Sequence, residues 1–427
     1  MHLSSSHRSY FVSLRSVVAL AIVAGFLAFL PGNEAAFARE GNQQAQKVEV
    51  FDEAARLVRD RFYDPKFGGK NWNAIVDRYR PRFVEAGDKT AKAAVINDML
   101  GELGASHMIY ATDDEPAYYQ LVDIFRYGLR DDIRKHFPNG ISYPGIGIFT
   151  REIEGKTFVS GVLAGQPAGR SGLKTGDEIV SVDGARFEPV ASFRGKVGAA
   201  VKFEIRREKN GPLSSLEIRP QRIEPRKAFQ TAMRDSARVI EANGKRVGYI
   251  HVWSYAGEDY QDILEEELSK GKLKDADALI WDLRDGWGGA RPQFLDIFNA
   301  RAPDLTFTER SGKTSYAGFK WRKPAAVLIN GGTRSGKEVL TYGFKKYGYG
   351  EVIGTQTAGA LLAGRGFLLS DGSFLMVAVN DVAVDGERLE AKGVEPTIAV
   401  PFDIRYSAGA DPQLDKAIEV LSEGSRG

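Results

Sequence analysis

The sequence predicts a multidomain α+β chain, made of a helical N-terminal region, a small β-rich module and an α/β core. Three observations carry this prediction. Apolar residues recur at helix spacing over 45–103, short strands with Gly-rich corners fill residues 136–222, and from about residue 235 buried-strand patterns alternate with amphipathic helices. At 427 residues the chain is too long for one ordinary domain. The expected division is a leader over 1–38, a helical region over 39–135, the β module over 136–222, the core over 223–406, and a terminal helix and tail over 407–427.

The leader reads as a secretory signal peptide. His7, Arg8 and Arg15 make a basic start, Ser16 to Leu30 is apolar, Pro31-Gly32 closes the run, and Ala36-Phe37-Ala38 is a small-x-small cleavage site. The run is shorter than the ~20 residues a spanning helix needs; an uncleaved N-terminal anchor is the other reading. No later segment approaches a membrane span, and no Cys lies near the cleavage site to carry a lipid. The chain is therefore expected to be exported, with the periplasm as its natural destination.

Composition narrows the chemistry. Hydrophobic content of 43% with 27% charged residues is ordinary for a globular protein, and a net charge of +2 gives no electrostatic reason to expect nucleic acid or an anionic membrane. The absence of cysteine excludes disulfides, thiolate metal sites and cysteine nucleophiles together. No metal cluster and no fingerprint of an organic cofactor is visible, so none is expected.

In the N-terminal region, Val48, Phe51, Ala54, Ala55, Val58 and Phe62 mark a first helix. Trp72, Ile75, Val76 and Tyr79 mark a second, and Ala91, Ala94, Val95, Met99 and Leu100 a third that ends at Gly104. Ser106-His107 follows, in a segment turning toward strand. Beyond the leader the histidines are His107, His136 and His251, so a histidine general base has few candidates. A loop histidine is equally read as a solvated or capping residue. His136 lies in a polar linker, and His251 sits in a strand as a packing or surface residue.

In the β module, Gly145-Ile146-Gly147-Ile148 follows a turn. Thr157 to Val162 is a strand, Ala164 to Leu173 a short helix closed by Gly172, and Asp177 to Gly184 a strand ending in an Asp-Gly turn. Phe203 to Arg207 and Leu216 to Arg219 form a closing hairpin. This stretch resembles a PDZ domain. Pro167-Ala168, Gly172-Leu173, Gly176-Asp177, Ile179 and Val182-Asp183-Gly184 follow the spine of that family, and Gly145 to Ile148 looks like its carboxylate-binding loop. The resemblance implies binding of polypeptide C-termini by strand addition; a groove filled from within is the structural alternative.

The core begins with a strand at Arg246 to Trp253 and a helix from Asp259 to Leu273. A buried strand, Ala278 to Leu283, ends in Arg284-Asp285-Gly286-Trp287-Gly288-Gly289, and Ala290 to Phe298 reads as the next helix. Strands at Ala325 to Asn330 and Glu351 to Thr355 follow, then a hairpin over Gly366 to Ala378, and a last helix with Asp411 as cap and Pro412 at its first position. Loops at the C-terminal ends of such strands are where ligands gather.

One of these loops, Gly331-Gly-Thr-Arg-Ser335-Gly336-Lys337-Glu338, hands a strand over to a helix. Ser335 is expected beside helix-terminal N–H groups that no intrahelical acceptor satisfies, a suitable place for a nucleophile and its oxyanion. Gly331 to Lys337 also matches a phosphate loop up to its last position, where Glu338 replaces the metal-binding Ser or Thr. An ordinary turn is the third reading. An exported chain, away from cytoplasmic ATP, weakens the second.

Taken together, the chain resembles the carboxy-terminal-processing (tail-specific) and tricorn-type serine protease family. Three core stretches carry the resemblance: Asp282-Leu-Arg-Asp-Gly-Trp-Gly288-Gly289, Asn330-Gly-Gly-Thr-Arg-Ser335-Gly-Lys-Glu338, and Glu390-Ala-Lys-Gly393-Val394-Glu-Pro396. The resemblance settles against the phosphate loop and implies a crotonase-like core of ββα repeats. The processing branch pairs its serine with a lysine in a Thr-Phe-Gly-Lys-Gly segment. Here the segment reads Thr357-Ala358-Gly359-Ala360-Leu361, and that lysine is absent.

The tricorn-like branch uses a His from a Ser-His dipeptide, oriented by a Glu ahead of the Gly-Val-x-Pro element. Ser106-His107 and Glu390 match. The resemblance thus implies Ser335 as nucleophile, His107 as base, Glu390 orienting it directly or through a hydroxyl, and Ser106 assisting. Backbone N–H groups of Gly288 and Gly336 would form the oxyanion hole. Lys337 is a substitute base by proximity in sequence, but its place on the helix should point it elsewhere. Two functions follow: a secreted serine endopeptidase cutting unfolded or C-terminally presented polypeptides, or a catalytically inactive PDZ adaptor on a degenerate core. A homo-oligomer or a regulatory partner is compatible with either.

Overall fold

The computed structural model describes residues 49–423 apart from 300, 302, 304 and 318; the leader expected over 1–38 lies outside the described residues. Helix α1 covers residues 49–61, α2 Trp72–Glu85 and α3 Lys89–Gly101. Caps start the second and third: the Asn71 side chain accepts from the Ala74 amide at 3.1 Å, and Asp88 from the Ala91 amide at 2.8 Å. The apolar stripes seen in the sequence meet in one core, where Phe51, Phe83, Ile96 and Met99 pack with Leu375 and Val377 from far along the chain. Strand β1 (Ile109–Ala111) and helices α4 (Pro116–Ile124) and α5 (Arg130–His136) complete the region. His136, expected in a linker, is the last residue of α5.

The β module contains β2 (Tyr143–Gly145), β3 (Ile148–Ile153), β4 (Lys156–Val162), the short α6 (Pro167–Arg170), β5 (Glu178–Val182), β6 (Val201–Arg206), β7 (Leu213–Ile218) and β8 (Gln221–Ile223). Strands β3 to β7 form an antiparallel sheet in sequence order, closed over Val159, Ile179, Phe193, Phe203 and Ile205. Strand β2 pairs with β8, Tyr143 opposite Ile223, so the two ends of the module leave it side by side.

The core comprises α7 (Pro225–Ser236), β9 (Arg238–Ala242), β10 (Lys245–His251), α8 (Glu258–Ser269), β11 (Ala278–Asp282), the hairpin β12 (Leu305–Thr308) and β13 (Thr314–Ala317), and β14 (Ala325–Ile329). Then come α9 (Gly336–Lys346), β15 (Glu351–Gly354), β16 (Ala363–Leu368), β17 (Phe374–Asn380), β18 (Ile398–Ala399) and α10 (Pro412–Glu423). The main sheet runs β18-β15-β14-β11-β10-β9, parallel except for the β9–β10 pair. β11 and β14 are buried along their whole length, which fits their apolar runs Ala278 to Trp281 and Ala325 to Ile329. Phe229, Ile263, Leu340 and Phe344 bring α7, α8 and α9 onto one face, and Ala417 and Leu421 bring α10 onto the other.

The helix expected over Ala290 to Phe298 is instead a 3₁₀ segment at Pro292–Phe298. Its buried residues are Phe294, Leu295, Ile297 and Phe298. They pair at i and i+3, the spacing that eclipses in a three-residue turn rather than spreading along an α-helical stripe.

A second small sheet, in the order β1-β17-β16, joins the N-terminal region to the core. Ile109 lies opposite Met376 and Tyr110 opposite Leu375. No helix among the described residues is long and apolar enough to cross a membrane.

Candidate active site

Ser335 closes the loop from β14 and opens α9. Its backbone sits at φ 58° and ψ −131°, a conformation that costs an L-residue energy and persists only where its surroundings hold it. Here the Ser335 amide donates to the Ala360 carbonyl at 2.9 Å and to Glu338 Oε2 at 3.1 Å. The sharp bend puts the hydroxyl at the mouth of the loop, as a strand-to-helix elbow does.

His107 lies just ahead of β1 and also has positive φ, 58°. Pairing of β1 with β17 carries it across to Ser335. Its Nε2 lies 3.3 Å from Ser335 Oγ, and its Nδ1 2.9 Å from Ser106 Oγ. Ser106 Oγ in turn donates to Glu390 Oε2 at 2.9 Å, while the Ser106 amide donates to Glu390 Oε1 at 2.8 Å. Glu390 Oε2 also accepts from the Leu361 amide at 2.7 Å. A carboxylate only accepts, so the Ser106 hydroxyl proton points at Glu390 and its oxygen accepts from Nδ1–H. The Nε2 lone pair then faces the Ser335 hydroxyl. Burial pushes the His107 imidazole down to about 4 from an ordinary 6.5; the negative Glu390 opposes this and the positive Arg334 adds to it.

Gly288 and Gly336 adjoin Ser335 where no side chain fits. A Cβ on Gly288 would fall 2.6 Å from Ser335 Cβ, and one on Gly336 2.3 Å from the Ala290 amide nitrogen. Neither amide donates to an acceptor among the described residues. Around the serine is a cavity of about 600 Å³, walled largely by apolar side chains that include Leu121, Phe125, Trp287, Leu362 and Met376. Among the described residues no group of three or more His, Asp or Glu side chains is placed to hold a metal.

Gly145, Ile146, Gly147 and Ile148 line a separate cavity of about 210 Å³ with Phe187, Phe193 and residues of α4. Trp287 borders both cavities, held by its Nε1–H donating to Gln120 Oε1 at 2.8 Å. Lys337 is fully buried and turns away from Ser335; its Nζ donates to the Asp285 carbonyl at 2.8 Å. Burial pushes that amine down to about 7. His251 packs against Trp253, ring centroids 3.9 Å apart, with Nε2 3.0 Å from the Arg284 carbonyl oxygen.

Glu338 has a part that the sequence reasoning missed. Its Oε1 accepts from Thr357 Oγ1 at 2.6 Å and the Gly359 amide at 2.8 Å; its Oε2 accepts from the amides of Ala360, at 2.8 Å, and Ser335. One buried carboxylate thus ties the serine elbow to the segment where the lysine is absent. The Ser-x-x-Glu spacing of a capping box was the available signal. The link through Gln120 to Trp287 had none.

A strand-to-helix elbow presenting Ser335 to a half-buried Ser-His pair, beside a PDZ-like sheet, defines a serine-peptidase architecture. Peptidase family S41 matches residues 246–400, the Tricorn protease C1 domain 43–101 and the PDZ domain 144–218. The chain belongs to the carboxy-terminal-processing and tricorn-type family of PDZ-containing serine proteases. It is 27% identical over 402 residues to the putative tricorn protease homolog 2 of Streptomyces coelicolor, covering 90% of this chain and 33% of that protein. It is 25% identical over 426 residues to the carboxyl-terminal-processing protease of Synechocystis, covering 95% and 93%. The chain spans about a third of the tricorn homologues it matches, and 57% of the carboxy-terminal processing protease CtpB of Bacillus subtilis. Its fold is shared with the crystal structure of the tricorn protease, at TM-score 0.50 and 19% identity over 89% of this chain and 37% of that one. Mature CPAF complexed with lactacystin is similar at TM-score 0.51 and 14% identity over 88% and 98%.

Proposed function

We propose that this protein is an exported serine endopeptidase that hydrolyses peptide bonds in unfolded or C-terminally presented polypeptides. The observation that carries the reading is the hydrogen-bonded run Glu390–Ser106–His107–Ser335. It supplies a nucleophile, a base and an orienting carboxylate across one cavity. Ser335 Oγ attacks the scissile carbonyl carbon while His107 Nε2 takes its proton. The oxyanion meets the Gly288 and Gly336 amides. The C–N bond breaks as His107 returns the proton to the leaving amine. Water, deprotonated by His107, then cleaves the acyl ester and restores Ser335. Lys337 takes no part, because its ammonium is directed to the Asp285 carbonyl.

The PDZ module, in this reading 136–222 between the helical region 39–135 and the core 223–406, receives substrate C-termini at Gly145 to Ile148. The export signal over 1–38 supports a periplasmic destination.

Digestion of casein by the purified protein, beside Ser335→Ala, tests the proposal. Wild type should cut and the variant should not. A wild type that leaves casein intact while binding C-terminal peptides would favour the adaptor reading instead.

Two finer outcomes follow from the geometry. Ser106→Ala removes the link between Glu390 and Nδ1 and should lower kcat by roughly 10- to 100-fold with KM little changed, the loss of one charge-assisted hydrogen bond. The acid limb of kcat/KM should lie near His107's depressed value of about 4, not 6.5. The sign follows from the base being active when neutral: activity holds as pH falls through 6 and is lost only as Nε2 gains its proton.

A further inference from the structure

Arg334 immediately precedes the nucleophile and lines the same cavity. Its guanidinium carbon lies 5.8 Å from the Trp287 ring centroid, and its charge is felt at His107. Among the described residues its side chain makes no hydrogen bond or ion pair, and its Nε is buried without a partner. Arg334 is half-buried overall, and a guanidinium with a donor withdrawn from water in this way is costly unless an anion meets it.

Two carboxylates are near enough to influence it, Asp285 and Glu338, and both are engaged elsewhere. Glu338 accepts four hydrogen bonds from the serine elbow and the 357–360 segment. Asp285 accepts from Asn330 Nδ2 at 3.0 Å and pairs with Arg151 at 3.5 Å. Arg334 is thus left without an anion in a cavity whose walls are largely apolar.

We propose that Arg334 is the carboxylate anchor of the substrate site, selecting polypeptides that present a carboxylate within a few residues of the scissile bond. The inference rests on the reading of this cavity as the peptide-binding site. The carboxylate has two sources, an Asp or Glu side chain or the α-carboxylate of a chain end. A planar fork suits either, because it donates two parallel N–H bonds to one carboxylate. The anchor is separate from the Gly145 to Ile148 loop. A substrate held by a chain end at Arg334 would be trimmed close to its terminus, whereas one held only at the loop would be cut further in.

The test is a binding titration that needs no turnover. Fluorescein-labelled apolar hexapeptides are made as free acids and as amides, and with Glu or Gln at each interior position. They are titrated by polarisation into full-length Ser335→Ala and into the same protein carrying Arg334→Gln or Arg334→Lys, with thermal melts to verify folding. With Arg334 present, neutralising the anchored carboxylate should weaken binding roughly 10- to 100-fold. In the Gln variant that penalty should vanish, and Lys, which keeps the charge without the fork, should restore part of it.

A penalty seen on amidation assigns the chain end; one seen on Glu to Gln assigns the side chain. Equal binding of charged and neutral peptides overturns the proposal. So does a penalty that survives Arg334→Gln, since it then belongs to the PDZ loop. Turnover of the same peptides by wild type separates this from the hydrolytic reading. Arg334-dependent binding without cleavage would sink the hydrolysis and leave the anchor. Cleavage indifferent to the carboxylate and to Arg334 would do the reverse.

Discussion

With Ser335 or His107 replaced by alanine, hydrolysis of an unfolded protein should fall by about 10⁴-fold or more in kcat, while peptide binding stays within about two-fold. The two losses should be of similar size and not add in the double variant, because nucleophile and base act as one unit. The physical basis is the 3.3 Å approach of His107 Nε2 to Ser335 Oγ, with Nδ1 already committed to Ser106. A serine hydroxyl without a base is a poor nucleophile, and no other titratable side chain hydrogen-bonds to Ser335 Oγ among the described residues. Lys337→Met separates this from the competing assignment. It should retain the chemistry if the protein folds, whereas an active His107→Ala with a dead, folded Lys337→Met would transfer the role of base to the lysine.

Glu338→Ala should cost about 3–5 kcal/mol of stability, read as a lower urea midpoint, and should also impair turnover. The carboxylate is fully buried and receives the Thr357 hydroxyl and the amides of Gly359, Ala360 and Ser335. Truncation leaves the Thr357 hydroxyl and the Gly359 and Ala360 amides without an acceptor, while the Ser335 amide keeps only the Ala360 carbonyl; stranded donors are more damaging than loss of the bonds alone. The elbow would lose one of the contacts that hold Ser335 in its left-handed conformation. Glu338→Gln keeps one acceptor oxygen and should fall between wild type and alanine in both measurements. Equal midpoints for all three proteins would mean that the elbow holds its shape without this residue.

Much of the architecture was legible because it is written in local periodicity. Trp72, Ile75, Val76 and Tyr79 recur every three or four residues and lie on the buried face of α2. The unbroken apolar runs of β11 and β14 record burial on both faces of a parallel sheet. The 3₁₀ segment at Pro292–Phe298 departs from the expected helix because its apolar residues fall in i, i+3 pairs, which suit a three-residue turn.

The candidate site divides in the same way. Ser335 stands out in sequence because a Gly-rich loop between a strand and a helix is a local feature, and Ser106-His107 and Glu390 were picked out by family resemblance. What joins them is not local. His107 and Ser335 are 228 residues apart, and Ser106 and Glu390 are 284 apart. They converge because β1 pairs with β17 and the N-terminal helices close their core over Leu375 and Val377. The sequence by itself determined the order of domains, the buried strands and the loops on which reactive groups stand, since each depends on neighbours a few residues away. Only the tertiary structure decided that a hydroxyl lies between Glu390 and His107, that Lys337 turns inward, and that the Arg334 side chain has no hydrogen-bond or ion-pair partner among the described residues. Those outcomes depend on how distant segments fill space and share hydrogen bonds, which periodicity does not encode.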